Sequence, residues 1–206
     1  MFMFSQPFVK LEHGEAAAIL DLLNPQLDIS KFDNTSAQVM SLPLPFYQDI
    51  DLIDVSDPQT VPAKKISALY HKGHKDILIL NGKNDPIYNA NKKYSLVLDD
   101  ETVPLYARFF FAYVRGRHGS FHLIDSVNEI KWREEPTKPA KQSLSKMISP
   151  LSIIEANEEE WRLISSIIFK DSLFESEIRV KKDGTVQMSH QEILVEDIPV
   201  IDENFD

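Results

Sequence analysis

From Val103 to Tyr113 the chain reads VPLYARFFFAY, and Arg108 is the one charged side chain in it. The preceding Asp99-Asp100-Glu101-Thr102 offers capping oxygens and negative charge where a helix would start, and Pro104 suits a first turn. The spacing predicts a helix over 102–114. Leu105, Phe109 and Ala112 fall on one side of it, and Tyr106, Phe110 and Tyr113 on the adjacent side. A helix that is apolar nearly all round has to be buried, and this one is too short to cross a bilayer, which takes about 20 residues. Other elements must therefore cover it.

Those elements read mainly as strands. Ile50 to Val55, Ile66 to His71 and Asp76 to Leu80 are β-rich runs, the last two joined by the compact turn Lys72-Gly73-His74. Asn81-Gly82 and Asn84-Asp85-Pro86 read as turns before a further β-rich run, Tyr94 to Leu98. Near the C-terminal end, Trp161 to Phe169, Leu173 to Val180, Thr185 to Ser189 and Gln191 to Ile198 read as a meander. In it Phe174, Ser176, Ile178 and Val180 alternate with Leu173, Glu175, Glu177 and Arg179. Lys182-Asp183-Gly184 supplies a hairpin turn. Outside the strands, GEAAAILDLL (14–23) is a helix ended by Asn24-Pro25. Residues 24 to 46 read as irregular, with Leu42-Pro43-Leu44-Pro45 as an extended connector. A short helix is expected at 138–148. The fold class is therefore α+β, with antiparallel sheet packed around a buried helix near 102–114.

EEPTKPAK (134–141), polar and with two prolines, is the best internal linker. It divides the chain into an α+β unit, 1–133, that holds the central helix, and a smaller β-rich unit, 142–206. Strands on both sides of the linker could also join one sheet in a single domain.

Directly after the apolar helix comes RGRHG (115–119), the densest cationic cluster in a chain of net charge -10. Arginine is absent from the first 107 residues; all six lie in the second half. Arginine is the planar, bidentate partner of carboxylates and phosphates. The candidate ligand-binding residues are accordingly Arg108, Arg115, Arg117, His118 and His122. The cluster also has a purely structural reading. Arg115 and Arg117 would complement the helix dipole, while Gly116 or Gly119 takes left-handed C-cap angles.

Several classes are disfavoured. The negative charge argues against nucleic acid and against an anionic membrane face. No cysteine is present, which removes disulfides, thiolate metal sites and cysteine nucleophiles and suits a cytoplasmic, reducing compartment. The N-terminal MFMFSQPFVK lacks the basic residue and cleavage pattern of a signal peptide. His118 and His122 in an extended chain would stand about 13 Å apart, too far to share a metal. His71 and His74 flank a turn and could converge. The acids at 49, 51 and 54 and at 99–101 read as strand and cap residues. No metal and no cofactor are expected, since nucleophile-elbow, zinc-protease and phosphate-loop patterns are all missing.

LPFY (44–47), DDETVPLYARFFFAYVRGRHG (99–119), SLFESEIRV (172–180) and ILVEDIPV (193–200) resemble segments of a group of uncharacterised bacterial proteins of proteobacterial type. The resemblance covers most of the chain after residue 40 and implies no activity. Two functions remain open on the residues alone. One is a non-enzymatic module that binds a protein partner, a second copy or a small ligand. The other is an enzyme or sensor that acts on a small anionic ligand through RGRHG, with the arginines as charge clamps and His118 or His122 as acid–base group.

Overall fold

The computed structural model describes residues 7–28 and 31–201. The apolar start of the chain, 1–6, and the last acids of the tail, 202–206, lie outside the described residues. Two compact units result. The first comprises described residues up to Asn81 together with Asp85–Val97. The second comprises Gly82–Asn84 and residues 98–201.

The first unit is a five-stranded antiparallel meander in chain order: β1 (Val9–Lys10), β2 (Gln38–Pro43), β3 (Ile50–Asp57), β4 (Lys64–His71) and β5 (Asp76–Ile79). Helix α1 (His13–Leu23) covers one face. Its Ile19, Leu20 and Leu23 meet Val39, Ile53, Val55, Ala68 and Ile77. The register explains that grouping. Val39 faces Val55, Val55 faces Ile66, and Ile53 faces Ala68, so the apolar residues form rows across the strands. Full burial of each such side chain contributes about 1.5–3 kcal/mol. Helix α1 closes at Asn24, whose side chain accepts from the Phe32 N–H (2.7 Å) and donates to the Phe32 carbonyl (3.0 Å).

Three expectations change here. β2 runs through Leu42-Pro43, where the sequence reads as a connector, because Leu42 and Pro43 pair with Leu52 and Asp51. Asn84-Asp85-Pro86 is the start of α2 (Asp85–Lys93) rather than a turn between strands. Asp85 lies in its first turn and Lys92 and Lys93 in its last, the polarity that the helix dipole favours. After it, Tyr94 to Leu98 makes only the single bridge Leu96–Tyr47 instead of a strand.

In the second unit the predicted apolar helix is α3 (Val103–Tyr113). Asp99 Oδ1 accepts the N–H groups of Glu101 (3.0 Å) and Thr102 (2.8 Å) at its start. The sheet that it covers runs β11 (Val186–Val195), β10 (Ser172–Lys181), β9 (Glu160–Phe169), β7 (Gly119–Ile124), β6 (Arg115–Gly116). A further strand, β8 (Ser152–Ala156), shares the outer edge of β9 with β7, one at each end. Two contacts seat α3. Phe111 meets Phe121 edge-on at 6.3 Å, and the buried Tyr106 hydroxyl donates to the Gly184 carbonyl at 2.7 Å. Gly184 has φ +79, as the hairpin turn requires. β11 is continuous through His190, whose φ of +48 marks the irregularity between what read as two strands.

The opposite face of this sheet carries a second apolar cluster. Ile124, Ile168 and Leu173 are covered by the turn at Val127–Glu129, by Ile130 and by Ile198 and Val200, with Leu144 of α4 (Lys138–Ser145) at its margin. The 134–141 stretch lies inside this unit. Just before it, the Arg133 N–H donates to the Pro199 carbonyl (2.8 Å) and Trp132 bridges to Val200. Thr137 then caps α4 through Ala140 N–H.

Candidate functional site

RGRHG is a β-hairpin, not a helix cap. Val114 is extended (φ -110, ψ 126), because the Arg115 N–H donates to the Gly82 carbonyl (2.8 Å) and Val114 bridges to Gly82. Arg115 then pairs with Ser120 and Gly116 with Gly119, which leaves Arg117 and His118 as the two turn residues. Gly119 has φ +148, and a Cβ on Gly116 would lie 2.7 Å from Phe121 Cε2. The glycines thus answer a tight turn and a close ring contact. Arg115, Arg117 and His118 are all exposed, and among the described residues no carboxylate pairs with either arginine.

Arg108 is differently placed. It is mostly buried, and its Nη2 donates to both Asp125 oxygens at 2.6 and 2.5 Å. Asp125 also accepts the Leu151 N–H at 3.0 Å. Arg108 therefore fixes the end of β7 and the start of the next segment, and its charge is committed.

His122 lies in β7 opposite Ile168 of β9, on the face away from α3. It lines a cleft of about 260 Å³ in the second unit. Ile124, Ile130, Ile168 and Val200 form an apolar floor, and His122, Glu129 and Lys131 bring polar groups to it. Of the five candidate residues this cleft takes His122; Arg108, Arg115, Arg117 and His118 do not line it. Glu129, Lys131, Ile168 and Val200 were missed by sequence reasoning. They come from separate stretches of chain with no common spacing, and only the β7–β9 register could have hinted at Ile168.

A second polar cluster, also unread from sequence, spans β8, β9 and β10. Glu177 is 6% exposed and accepts Arg162 Nε (3.0 Å) and Nη2 (2.7 Å), Arg179 Nε (3.1 Å) and the Ser189 hydroxyl (3.3 Å). Arg162 also binds Glu155. The Arg162 hydrogen bonds, aided by Arg179 and opposed by burial, hold the Glu177 carboxyl down at about 2, against an ordinary 4.5. A carboxylate so committed to two guanidiniums is a fastening between strands and a poor proton carrier.

In the first unit His71 and His74 do converge, with ring centroids 4.4 Å apart and Tyr94 4.6 Å from His71. The His74 N–H donates to His71 Nδ1 (3.1 Å). Lys93 and the Tyr94 hydroxyl both donate to Asp76, whose carboxyl these bonds lower. Among the described residues no three His, Asp or Glu side chains converge on a metal position. Asp51 accepts the Ser41 hydroxyl (2.6 Å) and pairs with Lys72 (2.9 Å), while Asp54 accepts Ser67 (2.5 Å). The acids of β3 thus serve strand pairing.

No described helix is long and apolar enough to cross a membrane. No protein-family model, curated protein or solved structure matches the chain, so its function has to be argued from these side chains.

Proposed function

We propose that this protein is a binding module for a small ligand, held in the His122 cleft without chemical conversion. One observation carries the reading: a concave site with an apolar floor and a few polar groups, the usual make-up of a ligand pocket. At about 260 Å³ it is slightly smaller than the roughly 300 Å³ at which drug-sized pockets begin, so the ligand is small. The described side chains there offer no nucleophile beside a base, which favours binding over catalysis. The module is taken as cytoplasmic, in keeping with a chain free of cysteine.

The test is a thermal-unfolding screen of small metabolite-like compounds on wild type and on Ile201→Trp. Ile201 is half exposed at the cleft edge, so the larger ring fills the cleft without disturbing the core. A ligand at 100 times its Kd stabilises by about 2.7 kcal/mol. Compounds that raise the wild-type midpoint and lose the effect in Ile201→Trp support the reading. Equal effects on both proteins contradict it.

The second reading is an anion-dependent contact through the hairpin tip, with an acidic protein, a second copy or an anionic effector as partner. It rests on Arg117 and His118 being exposed at the turn of an acidic protein. Loss of partner binding in Arg117→Ala, with cleft ligands still bound, would favour it.

A further inference from the structure

We infer that the turn between β4 and β5 is a proton-operated latch, closed while the His71 ring is neutral and released when that ring takes a second proton, at Nδ1. Every residue involved lies in the first unit, so the latch does not depend on the cleft reading. The His74 backbone N–H donates to His71 Nδ1 at 3.1 Å. Only a neutral imidazole with its proton on Nε2 can accept there. A charged ring carries a hydrogen on both nitrogens, so donor would meet donor and the bond is lost. Imidazole is the side chain whose ordinary charge change falls between about pH 5 and 8.

The seating of the ring makes the turn depend on it. His71 folds back over Gly73, where an added Cβ would lie 3.2 Å from its Cε1 and 3.6 Å from its Nδ1. The His74 ring stands 4.4 Å away and the buried Tyr94 ring 4.6 Å away, centroid to centroid. Lys75, which returns the chain to β5, has φ +49, a left-handed angle that a residue with a Cβ adopts at a cost. The bond to His71 Nδ1 holds that conformation from the residue before.

The charges around the ring give a second proton little welcome. Asp76 stands directly opposite His71 on β5 and shares its face. Its carboxylate already accepts from Lys93 and from the Tyr94 hydroxyl. Asp51 of β3 is paired with Lys72 at 2.9 Å. Asp49 presents its carbonyl to the turn, where it accepts the Lys72 N–H at 3.0 Å. His74 and Lys75 can add only positive charge. A charged His71 therefore gives up a hydrogen bond and sits against a second imidazole that can itself take a proton. Further along the hairpin, the pairs Leu69–Leu78 and Ala68–Ile79 contain no titratable side chain. Release loosens the turn and leaves the sheet paired.

The experiment is water-exchange NMR on the full chain from about pH 8 to pH 5, with wild type, His71→Phe and His74→Gln. It reads the protection of the residue-74 amide, corrected for the intrinsic pH dependence of exchange, beside the ring signals of His71. In wild type the expected result is a loss of about tenfold in protection that follows the charging of the His71 ring, while Leu69 and Leu78 stay protected. His71→Phe keeps a ring over Gly73 but has no acceptor, so its residue-74 amide should be unprotected at both ends of the range. His74→Gln keeps the backbone donor and should retain the pH response. A wild-type amide that stays protected once the His71 ring is charged overturns the inference, whatever the variants do. A residue-74 amide as well protected in His71→Phe as in wild type also overturns it. So does a release that Leu69 and Leu78 share, which would be general acid unfolding.

Discussion

Arg162 of β9 and Glu177 of β10 meet diagonally across the two strands with a two-point contact, Nε at 3.0 Å and Nη2 at 2.7 Å from the carboxylate oxygens. Arg179 and Ser189 add donors to the same group. Four strands, β8 to β11, are thereby joined on the face away from α3. The fastening lies on the same face as the His122 cleft but shares no residue with it, so it can be tested separately.

Replacement of Glu177 by Gln should destabilise the second unit by about 1–3 kcal/mol, because two guanidiniums lose a charged acceptor in a largely buried position. Urea unfolding followed by Trp161 fluorescence reads this directly. Binding of cleft ligands should be unchanged.

The same pair predicts a pH dependence. The folded Glu177 carboxyl titrates at about 2, below its ordinary 4.5. Its contribution is therefore complete above 4.5 and lost as pH falls toward 2. The stability gap between wild type and Glu177→Gln should be widest near neutral pH and close as pH approaches 2. A gap that stays constant down to pH 2.5 would show that the charge contributes nothing.

Arg108 and Arg115 should behave as opposites. Arg108→Ala leaves Asp125 half-buried without its guanidinium and should cost about 1–3 kcal/mol. Arg115→Ala removes an exposed group and should change stability by less than about 0.5 kcal/mol. Thermal unfolding of the two variants separates the arginine committed to Asp125 from the exposed one.

Gly116→Ala should disrupt the hairpin. Its methyl group would sit 2.7 Å from Phe121 Cε2, and Phe121 is itself stacked on Phe169 at 4.6 Å. A cost of about 1–3 kcal/mol is expected for forcing that ring aside. Amide exchange in β6 and β7 should accelerate; unchanged protection would contradict the contact.

Much of this was legible in the sequence. The helix around Phe109 announces itself through its caps and its all-round apolarity, and β9 and β10 through alternation and a glycine turn. Segments whose partners lie far away did not announce themselves. Leu42-Pro43 looks like a connector until Leu52 pairs with it, and Arg115 looks like a helix end until Gly82 draws Val114 into an extended form. Asp85-Pro86 has the chemistry of a turn and of a first helical turn equally, and the buried Ile87 and Ala90 decide for the helix. Of the cleft only His122 was legible, because beyond the adjoining Leu123 and Ile124 it is assembled from residues 129–131, 168 and 200–201. Glu177 reads as the polar side of a strand, and its partners Arg162, Arg179 and Ser189 make its burial tolerable.

The His122 cleft is the proposed ligand site, and NMR chemical-shift mapping with a compound that raises the wild-type unfolding midpoint reads it residue by residue. Saturable shifts concentrated at His122, Lys131, Ile168 and Ile201 are expected. Shifts confined to Arg117 and His118 at the hairpin tip, or no saturable shifts at all, would contradict it.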